Sequence, residues 1–198
     1  MTDNAHSGRR RFLTISTSFM AGAGTVGATV PFIQSWNPNA RATAASAPLR
    51  VDISKIETGT MLTASWQGKP IFILRRTPDS IENLSTEQHR SELRDPDSMV
   101  NQQPEYTKNE YRSIRPEVFI GIGICTHLGC IPNYEPRGML DVSHALYFCA
   151  CHGSKFDLAG RVFENVPASV NLIIPPHQYL SEDIVEIGVD ANTVTLDV

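Results

Sequence analysis

Cysteine is scarce in this chain: four in 198 residues, all between positions 125 and 151. A disulfide scaffold would spread its cysteines along the sequence, so a cluster in one short window points to a site. Basic excess is also absent. Lys and Arg number 17 against 21 Asp and Glu, a net charge of −4, which excludes a nucleic-acid binder working through a basic surface. Charged residues make up only 19% and apolar residues 41%, with 13 Gly and 13 Pro. That balance excludes disordered, collagen-like and coiled-coil chains and suits a loop-rich globular domain. No internal repeat, nucleophilic triad, phosphate loop or nucleotide fingerprint occurs.

The longest absence is of charge. After Arg9, Arg10 and Arg11 no charged residue appears until Arg41. The stretch Phe12–Trp36 is long enough, at roughly 37 Å as a helix, for a hydrocarbon core of about 30 Å. It is rich in Gly, Ala, Ser and Thr and only moderately hydrophobic. Arg-Arg-x-Phe-Leu at 9–13 resembles a twin-arginine export signal. The expected organisation is a cytoplasmic N-terminus (1–11), a single transmembrane anchor (12–36) and a head on the periplasmic face of a bacterial inner membrane. Ala45-Ser46-Ala47 resembles a signal cleavage site, but the apolar run is about twice the usual signal core, which favours a retained anchor. Residues 37–48 hold five Ala and two Pro and no large apolar side chain. They read as a flexible tether, about 40 Å if extended.

From residue 49 to 198 the chain reads as mainly β. Short apolar or alternating runs separated by turn signals predict strands at Leu49–Ile56, Met61–Trp66, Pro70–Arg75, Glu117–Ile124, Leu146–Phe148, Asn171–Ile174, Ile184–Val189 and Thr193–Val198. Turns are expected at 67–69 and 190–192. One interruption, Asp79–Leu93, predicts a short helix, and a polar loop follows over 94–115. Antiparallel β with one helix–loop insertion is the fold expected.

Two boxes carry the chemistry. Cys125-Thr126-His127-Leu128-Gly129-Cys130 follows one apolar strand, and Cys149-Ala150-Cys151-His152-Gly153-Ser154 follows another. Mixed sulfur and imidazole donors suit zinc or an iron–sulfur centre and hardly suit calcium or magnesium. Six candidate ligands exceed what one tetrahedral zinc takes, whereas two irons bridged by sulfides need four. His6, His89, His144 and His177 lack partners at metal spacing and read as surface or loop residues.

At these residues the sequence resembles the Rieske iron–sulfur proteins, and within them the subunit of quinol–cytochrome c oxidoreductases. The resemblance continues through Gly68-Lys69-Pro70-Ile71-Phe72-Ile73, Arg75-Arg76-Thr77 and Leu93-Arg94-Asp95-Pro96, and takes in the anchor and tether. It implies an antiparallel β-sandwich base domain with a smaller cluster-binding subdomain at about 121–170. It also implies one 2Fe-2S cluster, with Cys125 and Cys149 on one iron and His127 and His152 on the other. Cys130 and Cys151 would form a disulfide joining the ligand loops. Oxygenase-type Rieske domains lack those two cysteines.

The resemblance further implies the surroundings. Ser154 would bond a cluster sulfur, Gly129 and Gly153 would allow tight loops, and Pro167 would lie in a loop covering a third side. Leu128 would either shield the cluster and touch quinone or serve as a packing residue. Where relatives often carry a tyrosine that bonds the cluster, this chain has Phe156. Replacing two thiolates by neutral imidazoles lowers the negative charge of such a centre and raises its potential, as known for Rieske centres generally. Each ligating ring keeps a second nitrogen for a proton, so electron and proton uptake are coupled. His127 and His152 are therefore the catalytic residues expected, with His152 implied as the one meeting quinol. Partners implied are cytochrome b, holding the quinol, and a c-type cytochrome, in a dimeric membrane complex. The competing readings are a subunit of another exported redox enzyme, such as arsenite oxidase, and a binding module with structural zinc.

Overall fold

The computed structural model describes residues 3–39, 42, 47–139 and 142–190. In chain order its strands are β1 (Leu49–Asp52), β2 (Met61–Trp66), β3 (Lys69–Arg75), β4 (Val118–Ile122), β5 (Asn133–Glu135), β6 (Leu146–Cys149), β7 (Ser154–Phe156), β8 (His177–Tyr179) and β9 (Ile184–Ile187). Its helices are α1 (Asp3–Gln34), α2 (Pro78–Ser85) and α3 (Glu87–Arg90).

Strands β3 and β4 are apolar on both faces, and that decides the architecture. Ile71, Phe72, Ile73 and Leu74 are all buried. Side chains alternate along a strand, so Ile71 and Ile73 face one way and Phe72 and Leu74 the other, and both faces need cover. The central antiparallel sheet runs β2-β3-β4. On one side Ile71, Ile73, Ile120 and Ile122 share a core with Val185 and Ile187, from a sheet ordered β1-β9-β8. On the other, Phe72, Leu74 and Phe119 share a core with Leu146, Tyr147 and Phe156 from the sheet β5-β6-β7. Phe72 stacks on Tyr147 with ring centroids 5.4 Å apart. The antiparallel β expectation holds, with three sheets among the described residues.

Several elements differ from the sequence reading. The helix expected over 79–93 is broken at Thr86, whose extended backbone and hydroxyl, accepting from the His89 N–H at 3.3 Å, end α2 and start α3. The first strand stops at Asp52 because its carboxylate accepts from the N–H and hydroxyl of Ser54 and turns the chain. Residues 171–174 form no strand. Asn171 spends its side chain on Val162, Asp95 and Ser98, while Leu172 and Ile174 donate to Gly160 and Gln102. Strands β5, β7 and β8, three residues each, were not expected. The strand at 193–198, most of the turn at 190–192, and much of the tether, with Ala45 and Ser46 of the cleavage-like segment, lie outside the described residues.

Residues 1–44 and 45–198 form separate units. The helix α1 begins within the first residues, so it includes the Arg cluster that was expected to precede the anchor, and it ends at Gln34. Its 32 residues span about 48 Å. Among the described residues no helix is both long and apolar enough to meet the hydropathy requirement for crossing a membrane. Gly22, Gly24 and Gly27 and the interspersed hydroxyl residues dilute its apolar character.

Candidate metal centre

The two boxes fold as near-equivalent loops. Box one leaves β4 through Gly123, where a Cβ would collide with the buried ring of Phe72. The Gly129 N–H then donates to the Cys125 carbonyl at 3.0 Å, and the Gly153 N–H donates to the Cys149 carbonyl at 2.9 Å. Gly129 and Gly153 hold φ of 85° and 82°, a left-handed conformation costly for other residues. Each loop thus closes on a carbonyl belonging to its own first cysteine.

Cys130 and Cys151 are joined as a disulfide, which ties one loop to the other. Cys125 and Cys149 remain free thiols, both buried. Burial pushes the Cys149 thiol up, and the Cys125 thiol hydrogen-bonded to it adds to the shift. A metal that displaced both protons would relieve this crowding. The rings of His127 and His152 lie edge to face, with centroids 4.8 Å apart. His127 is half-buried and His152 exposed. The Nδ1 of His127 is buried without a partner, a bare donor pointing away from water. The two thiols thus meet each other and the two rings meet each other on loops tied by the disulfide, with the sulfurs of Cys130, Cys149 and Cys151 within 4.8 Å of one another, and a set of thiols and imidazoles so placed fits a mixed sulfur–nitrogen iron centre.

A third segment, 166–170, closes around them. The Ala168 N–H donates to Ser154 Oγ at 3.0 Å, and Thr126 Oγ1 donates to the Val170 carbonyl at 2.6 Å. Ser154 is fully buried, and its hydroxyl, having accepted from Ala168, keeps its own proton to donate. Pro167 lies exposed immediately before the first of these anchor points. Phe156 is wholly buried in the core beneath the loops and offers no hydroxyl. Leu128 is 71% exposed, so its role as a packing residue is set aside.

The sequence reading missed Arg94 in this setting. Its guanidinium donates to the carbonyls of Ala168 and Val166, at 3.0 and 3.3 Å, and so clasps the segment that bonds Ser154. Nothing in local spacing reveals a contact across more than 70 positions. It also misplaced two histidines: His89 and His177 are buried, on α3 and β8, whereas His144, half-buried, lies in a loop as expected.

Fold and site together define an iron–sulfur protein of the antiparallel β class. Residues 50–176 match the family described as Rieske [2Fe-2S] domain, and the chain belongs to that family. Residues 1–39 match a family described as the Ubiquitinol-cytochrome C reductase Fe-S subunit TAT signal. The ubiquinol-cytochrome c reductase iron-sulfur subunit of Allochromatium vinosum is 50% identical over 186 residues, covering 92% of this chain and 89% of that protein. The protein of the same name from Bradyrhizobium diazoefficiens is 38% identical over 188 residues, covering 92% of this chain and 96% of that one. A solved chain of a hyperthermophilic respiratory Complex III matches with a TM-score of 0.48 and 24% identity, over 87% of this chain and 98% of that one.

Proposed function

We propose that this chain is the Rieske subunit of a membrane quinol–cytochrome c reductase, accepting electrons from quinol and delivering them to a c-type cytochrome. The observation that carries the reading is the pairing of two buried free thiols, and of two imidazoles, on loops cross-linked by Cys130–Cys151. Similarity to named reductase subunits across nearly the whole chain supports it over another exported redox enzyme.

In this reading Cys125 and Cys149 hold one iron, and His127 and His152 the other. The cluster, when bound, supplies a one-electron acceptor. The remaining work belongs to the protein. Ser154, whose hydroxyl keeps its proton, would donate it to the bound cluster and favour the reduced state. The exposed ring of His152 meets the quinol hydroxyl and takes its proton at the outer ring nitrogen, while the half-buried His127 stays behind it. Leu128 and Ile131, 71% and 59% exposed, give the tip an apolar rim that fits a quinol pocket on cytochrome b and excludes water there.

Residues 12–36 act as the anchor despite their modest hydropathy. Thr14, Thr17 and Thr25 each donate their hydroxyl to the carbonyl four residues back, at 2.8 Å. Bonding polar side chains within the helix lowers their cost in hydrocarbon. The N-terminus then stays cytoplasmic and the head lies on the periplasmic side, linked by the tether at 37–48 that lets it travel between partners in a dimeric complex.

Purification from membranes tests the reading. The chain is expected to resist alkaline extraction, to travel with cytochrome b and a c-type cytochrome, and to contain iron and acid-labile sulfide in equal amounts. A preparation without iron and sulfide, or one free of both cytochromes, overturns it.

A further inference from the structure

The molecule holds a second pair of imidazoles, neither of them in either box. His89 on α3 and His144 before β6 lie edge to face with ring centroids 4.9 Å apart and planes at 81°. The candidate iron-ligating pair, His127 and His152, shows nearly the same arrangement, 4.8 Å and 89°. Two imidazoles on one tetrahedral zinc place their ring centres about 5 Å apart, given a zinc–nitrogen bond of about 2.0–2.1 Å. The spacing of the second pair therefore suits a shared ion.

The protonation pattern points the same way. His89 is 2% exposed, and its Nε2 lies 3.1 Å from Asp157 Oδ2. That carboxylate is buried, which alone would raise its pKa, yet Arg161 and the bond from His89 hold it well below the usual carboxylate range. It is further fixed by Arg161 Nε at 2.7 Å and by the N–H groups of Ala159 and Arg161, at 2.9 and 2.7 Å. An acceptor so fixed engages Nε2 and leaves Nδ1 as the open ring nitrogen. That Nδ1 is buried with no hydrogen-bond partner, and so is Nε2 of His144. A carboxylate behind one ring nitrogen with the other left open is the arrangement that prepares histidine for a metal. Both rings line a cleft of about 380 Å³, which also receives Gln88, Glu92 and Ser143 and has room for an ion with water ligands.

We propose that His89 and His144, with Asp157 orienting His89, form a second metal site that takes a divalent transition cation of the zinc class. Water from the cleft completes its coordination. Imidazole ligands and an open cleft select zinc or copper over magnesium or calcium. The site is independent of the iron centre, since none of its residues belongs to either box.

Full-length protein in detergent, with its cluster loaded so that His127 and His152 are occupied, is titrated with Zn²⁺ against a chromophoric chelator. One Zn²⁺ per chain beyond the cluster is expected, and zinc K-edge absorption should report two imidazole ligands. His144→Ala is expected to weaken binding by at least about tenfold while the reduced-state EPR of the cluster stays unchanged. Absence of binding by the wild type, equal affinity in wild type and variant, or a zinc spectrum without imidazole ligation overturns the proposal. The spectrum on the wild type decides the matter even if the variant fails to fold.

Discussion

In the proposed function, Phe156 stands where a single oxygen atom would tune the site. It is buried in the core two positions beyond Ser154, pairs with Tyr147 across the sheet, and cannot donate to the cluster or its cysteine ligands. Phe156→Tyr should therefore raise the midpoint potential. A hydrogen bond worth about 1 kcal/mol more in the reduced state corresponds to roughly 40 mV for one electron. Redox titration followed by EPR measures it, and an unchanged midpoint removes the role assigned to this position. Ser154→Ala should move the potential the other way by a similar amount. It also strips the Ala168 N–H of its acceptor, so a loss of about 1–3 kcal/mol in stability should accompany the shift. Denaturant titration beside the redox titration separates the two effects.

At the scale of elements, what could be read from the sequence divides by how local the cause is. Strands β3 and β4 were legible because burial on both faces writes a continuous apolar run. The two boxes were legible because each loop is closed by its own first cysteine and glycine, and the pairing implied by family resemblance for Cys130 and Cys151 is the one present. Strands β5, β7 and β8 were not, since three polar or aromatic residues carry no period and pair only where β6 and β9 already lie. Residues 171–174 look like a strand by composition, but Asn171 turns inward to bond Val162 and the loop that holds Asp95 and Ser98. Arg94 and the His89–His144 pair depend on contacts between distant segments that no window contains. The break between α2 and α3 was missed for a subtler reason: Thr86 sits inside an apparently helical pattern and acts as a cap. Thr86→Ala should cost about 1 kcal/mol by releasing the His89 N–H, measured as a lower denaturant midpoint. A stability equal to wild type would show that the break is imposed by packing alone.

For the whole head, stability should fall as the solution is acidified, and the buried histidines set the window. His177 is 1% exposed, and burial lowers its pKa although Nδ1 donates to the Pro175 carbonyl at 2.8 Å, which acts in the opposite sense. Burial, with His89 close by, also lowers that of His144. A histidine whose folded pKa lies below its ordinary value of about 6.5 takes up protons more readily in the unfolded chain. Its contribution is thus fully present above about pH 6.5 and is lost as pH falls toward the folded value. Asp157, held below the usual carboxylate range, continues the decline at lower pH: its contribution is present above about 3.9 and disappears beneath it. Thermal unfolding of the wild type between pH 7.5 and 5 should therefore show a falling midpoint. His177→Gln keeps a donor for the Pro175 carbonyl but removes the titration, so its decline across the same interval should be shallower. Parallel profiles for the two proteins would mean that the acid sensitivity of the fold arises elsewhere than in this buried ring.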